Sequence, residues 1–142
     1  MITTTLNKIR EHRPCESGWK KLLAHLGKTK ADDEPLPFAT ILASNGLGDA
    51  LWCCRAAPEH AKEWRLYAVW CARQVQHLMT DQRSLAAMDV AEMHAHGNAT
   101  DEELVAAWDA GDAARAAGDA TWAAAWDAAR DAQEKRFLEV VL

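Results

Sequence analysis

The side chains best suited to chemistry in this sequence are its six histidines and four cysteines, and their spacing argues against a metal centre. His94 and His96 stand two apart, which on a helix aims them about 200° away from each other rather than at one ion. The sequence contains no Cys-x-x-Cys, His-x-x-x-His or His-Glu-x-x-His. His77 could meet His94 only across neighbouring helices. Cys71 falls on an apolar helical stripe and Cys53–Cys54 on a short helix, where a thiol acts as a small hydrophobe rather than a nucleophile. Asn45-Gly46-Leu47-Gly48 is a turn too short to cradle phosphate, and Gly-x-Ser-x-Gly and dinucleotide fingerprints are missing. Asp32-Asp33-Glu34 reads as a solvated acidic loop with at most weak cation binding. No catalytic residue, metal ligand or cofactor is expected.

Binding is the chemistry that remains. Residues 1–30 carry seven basic and two acidic side chains, while 97–142 carry four basic and ten acidic. The basic group is Lys8, Arg10, Arg13, Lys20, Lys21, Lys28 and Lys30, a cluster that phosphate contacts would need. The acidic end holds a different pattern. The pentapeptide Ala-Ala-Trp-Asp-Ala occurs at 106–110 and again at 124–128, an offset of five helical turns. Leu104, Trp108, Trp122 and Trp126 therefore share one helical sector, and Asp112, Arg115 and Asp119 fall inside it at ion-pair spacing. Tryptophan anchors around a charged notch suit a protein-docking edge. The expected partner-binding residues are Trp108, Asp112, Arg115, Asp119, Trp122 and Trp126.

Those residues need helices to position them, and every segment reads as helix. The first runs from about Thr4 to His12, ahead of Pro14. Ser17 is placed to cap a second, bearing Trp19, Leu22, Leu23 and Leu26 and stopped by Gly27. Lys28–Leu36 is the longest linker. Short helices follow over 37–44 and 47–55. Pro58 opens a fifth that reaches Leu78, with Trp64, Ala68, Cys71, Val75 and Leu78 on one stripe and Leu66 and Trp70 on another. Two apolar faces make it the expected centre of the core. Thr80-Asp81 starts a sixth, ended by Gly97. Thr100 and Glu103 form a capping box for a long last helix, about 101–139, continuous through Gly111 and Gly118.

The fold class expected is all-α: one domain of six to seven helices, with basic helices and a linker over 1–57 and a second helical region over 58–142. At 142 residues with 49% hydrophobic and 26% charged side chains, the chain is long enough for its own core and too apolar for general disorder. Adjacent Cys53 and Cys54, far from Cys15 and Cys71, suit reduced thiols in a cytoplasm. No stretch has the ~20 apolar residues of a membrane span. A formal charge of −5 gives no general attraction to nucleic acid.

The stretch Cys71-Ala72-Arg73, His77-Leu78, Asp81, Arg83-Ser84, Ala91-Glu92, Gly97 and Thr100-Asp101-Glu102-Glu103-Leu104, leading into an Ala-rich helix, resembles the Imm-5-like immunity proteins over about residues 65–135. The whole chain resembles proteins encoded in phages and prophages, through segments like Cys15–Trp19, Lys28–Pro37, Ser44–Leu47 and Asp49–Trp52. The resemblance implies an all-α domain that neutralises a protein partner, a toxin or a host defence component, by stoichiometric binding, as an anti-CRISPR-like inhibitor does. It implies no catalytic residue. Self-association into a homodimer is a further option. The alternative is a nucleic-acid-binding phage accessory protein that uses the basic N-terminal helices.

Overall fold

Capping chemistry sets most of the helix boundaries. The computed structural model describes residues 1–115, 125 and 127–142, and eight α-helices stand among them. They are α1 (Leu6–Glu11), α2 (Glu16–Leu26), α3 (Phe38–Asn45), α4 (Leu47–Cys53), α5 (Ala61–Gln74), α6 (Gln82–Ala95), α7 (Asp101–Arg115) and α8 (Arg130–Val141). One short antiparallel ladder, β1 (Thr3–Thr4) with β2 (Leu36–Pro37), pairs Thr3 with Pro37 and Thr4 with Leu36. The fold is all-α.

Thr5 caps α1 by accepting from the Lys8 N–H, and Asp81 caps α6 by accepting from the Arg83 N–H. The Thr100–Glu103 box closes in both directions, at 3.2 and 2.8 Å. Gly27, with φ of 64°, supplies the left-handed residue that ends α2. Two expectations need correction. Ser17 does not cap α2, which starts at Glu16 behind Cys15 and places that carboxylate in the first turn, where the helix dipole favours it. The helix expected over 58–78 is α-helical only from Ala61 to Gln74, flanked by 3₁₀ turns at Pro58–His60 and Gln76–Leu78. Within α5, Tyr67 and Cys71 are buried on one side and Val69 on the other, while Ala68 of the expected stripe is exposed.

The chain forms two compact units: Met1–Ala61 with Phe137–Leu142, and Lys62–Arg136. In the first, Leu6, Ile9, Phe38, Ile41, Phe137 and Val141 are buried to 1% exposure or less. Phe38 and Phe137 meet edge to face, ring centroids 6.3 Å apart at 66°. The Ile2 N–H donates to the Val141 carbonyl at 2.7 Å, and the buried Thr4 hydroxyl donates to the Ala56 carbonyl at 2.9 Å. These bonds and that ring pair hold the amino-terminal segment and the end of α8 in one core.

In the second unit, Val69 of α5, Ala91 of α6 and Leu104 of α7 form a buried cluster with Val90 packed against it. Gly111 lets α6 and α7 approach closely, since a Cβ there would stand 3.1 Å from the Ala87 Cβ. α7 runs through this glycine to Arg115, but the single helix expected over 101–139 is not observed, since a turn at Ala129 precedes α8 as a separate helix from Arg130. Gly118, where continuity was also expected, lies outside the described residues.

Candidate functional site

The edge expected to bind a partner lies on α7. The capping box starts this helix and Leu104 is buried, while one turn further along the same sector the side chain of residue 108 comes out to solvent. Trp108 is 51% exposed and Val105 56%. Asp101, Glu102 and Asp109 are exposed on the same turns. An indole and a β-branched side chain in water, flanked by carboxylates, form a small apolar strip with an acidic border. Of the other expected docking residues, Asp112 and Arg115 are described in backbone only, within α7. Asp119, Trp122 and Trp126 lie outside the described residues.

Behind the start of α7 is a polar chain linking three helices. Arg65 Nη1 lies 2.9 Å from His94 Nδ1, and His94 Nε2 lies 2.5 Å from Asp101 Oδ1. A guanidinium can only donate, so Nδ1 accepts and the ring proton sits on Nε2, pointing to the carboxylate. Neither nitrogen is left to take a proton from a nucleophile. This histidine ties α5, α6 and the first turn of α7 together. Arg73 adds ion pairs to Asp89 and Glu92, both at 2.8 Å, and these two carboxylates hold its guanidinium above the usual range.

The basic N-terminal cluster is partly neutralised where it stands. Lys8 pairs with Glu59 and Lys20 with Glu16. Lys28 reaches Asp32 at 2.6 Å and also pairs with Glu34; these hydrogen bonds raise the lysine pKa, and Lys28 lowers that of Asp32. The acidic loop of the sequence thus closes around a cation from its own chain.

Sequence reasoning missed a cleft in the first unit, between α2, α3 and α4. It encloses about 140 Å³, with Trp19 and Trp52 on its walls and Asn45 and Asp49 among its polar lining. Asn45 Nδ2 donates to the Gly18 carbonyl at 2.9 Å and to Asp49 Oδ2 at 2.7 Å. Gly18 leaves room for this carboxylate, since a Cβ would stand 2.8 Å from Asp49 Oδ2 and the side chain would have to shift. A glycine inside an otherwise good helix costs about 1 kcal/mol relative to Ala, and that was the available signal. The Cys53 thiol on the wall is pushed up to about 12, first by burial and then by the Asp49 charge. Cys54 is likewise pushed up to about 12 by burial, and burial raises Cys71 as well. All four cysteines are free thiols, and no group of three metal-binding side chains occurs among the described residues.

No described helix is long and apolar enough to cross a membrane. Compared with protein-family models, curated proteins and solved structures, the chain matches none of them.

Proposed function

We propose that this chain is a stoichiometric binding protein that neutralises a protein partner, in the manner of immunity or phage counter-defence inhibitors such as anti-CRISPR-like proteins, acting in the host cytoplasm. The observation that carries the reading is the half-exposed Trp108 beside Val105, bordered by acids on α7. The partner this strip fits is a protein with an apolar pocket rimmed by lysine or arginine. Covering the exposed half of an indole, about 120 Å², contributes about 3 kcal/mol, roughly a hundredfold in affinity. The acidic border would act mainly on association rate and partner choice. A nucleic-acid role for the basic helices is the weaker reading, because Lys8, Lys20 and Lys28 already pair with carboxylates of their own chain.

A photo-reactive residue at Val105 identifies the protein that covers the edge, and affinities for that protein follow. Trp108→Ala, measured below its own melting transition because the packed half of the indole also supports the fold, should weaken binding at least tenfold, and Asp109→Lys should slow association and flatten its salt dependence. Unchanged affinity in Trp108→Ala would refute the docking edge. Turnover of a substrate at sub-stoichiometric protein would refute the binding class.

A further inference from the structure

The cleft between α2, α3 and α4 differs from the α7 edge in shape and in charge. Its walls include two indoles, Trp19 and Trp52, and its one carboxylate is Asp49. No lysine or arginine lines it. Arg55 stacks over the Trp52 ring at 4.3 Å and is not part of the lining. Asp49 makes no ion pair among the described residues; its neighbour is the neutral amide of Asn45.

The carboxylate is also held in place. Asn45 bridges Asp49 Oδ2 to the α2 backbone, and the missing side chain at Gly18 leaves the space that the carboxylate occupies. An acceptor fixed in advance, beside two indoles and with no ion-pair partner among the described residues, suits an organic cation. The volume sets the size. A cavity of about 150 Å³ accommodates one benzene ring, so about 140 Å³ has room for a body of that size.

We infer that this cleft binds a small organic ammonium ion, its charged nitrogen on Asp49 and its ring or branched alkyl body between Trp19 and Trp52. Inorganic cations fit poorly, because one carboxylate and a side-chain amide leave most of a metal's coordination shell unfilled.

The test uses the full chain and benzylammonium at pH 7, followed by amide and indole N–H chemical shifts. Saturable shifts should centre on Gly18, Asn45 and the Trp19 and Trp52 indoles. Benzyl alcohol, nearly the same shape without the charge, should bind about tenfold more weakly or worse, a comparison that needs no variant. Asp49→Asn, folded by circular dichroism, should erase the preference for the amine, and Gly18→Ala should weaken it by displacing the carboxylate. No saturable shift, shifts centred elsewhere, or equal binding of amine and alcohol by the wild type would each overturn the proposal. Tighter binding of an Nα-acetyl-lysine amide would overturn the assignment to a free small molecule.

Discussion

Phe137→Ala should be among the most damaging substitutions in the first unit. Phe137 and Phe38 are both 0% exposed and meet edge to face at 6.3 Å. A fully buried phenylalanine removes about 150–200 Å² from water, which at ~25 cal/mol/Å² is about 4 kcal/mol. The edge-to-face geometry adds about 1 kcal/mol. The sum lies at the upper end of the ~3–5 kcal/mol measured for Phe→Ala in cores, where a residual cavity accounts for part of the loss. A chain of this length typically has about 7–20 kcal/mol in hand, so the variant should fold with a markedly lower midpoint. With a urea slope of about 2 kcal/mol/M the shift is about 2 M, read by far-ultraviolet circular dichroism. Phe137→Leu keeps most of the volume and should lose only about 1–2 kcal/mol. A loss below 1 kcal/mol in Phe137→Ala would refute the placement of this ring. Equal losses in the two variants would instead refute the volume-based magnitude and assign the loss to the ring pair itself.

Thiol labelling should be sharply selective. At pH 8 the exposed Cys15 should react first, while Cys53, Cys54 and Cys71 stay protonated and slow until the chain is unfolded in urea; four equal rates would contradict their burial. These raised thiol values also set an alkaline limit. Unfolded thiols release protons near 9 while folded Cys53 and Cys54 hold theirs to about 12, so stability should be intact below pH 9 and fall as pH rises through that window; denaturation midpoints flat from pH 8 to 11 would count against it. Gln133 is 1% exposed and its side-chain amide finds no partner among the described residues, so Gln133→Met should raise the melting temperature, and a clear fall would reveal a missed hydrogen bond.

Signals that act within a few residues were legible before any coordinates. Gly27, Asp81 and the Thr100–Glu103 box do their work inside one helical turn, so the letters sufficed. The periodicity of α7 placed Trp108 in a sector but could not orient that sector. Exposure depends on Leu104 meeting Val69 and Ala91, which only packing decides. Gly18 was opaque for a similar reason. It makes sense only when Asp49 arrives from α4, and nothing in α2 announces that neighbour. The α5 stripe misled because its ends tighten into 3₁₀ turns, and the two-residue β ladder was too short for any period-two pattern to register. Asp32 and Glu34 looked like an open acidic loop because Lys28 was counted with the basic helices rather than as the loop's own counter-ion.

The route of the chain through its two units also constrains the order of events during synthesis. Residues Met1–Ala61 leave the ribosome early, but Phe137 and Val141, which complete their core, follow only after all of Lys62–Arg136 has been made. Until then Phe38 lacks its edge-to-face partner, and the Ile2 amide lacks the Val141 carbonyl. Lys62–Arg136 is contiguous and suffers no such delay. A nascent chain therefore has reason to consolidate its middle first and its beginning last, with the amino-terminal apolar residues exposed to chaperones, or to one another, for the whole interval.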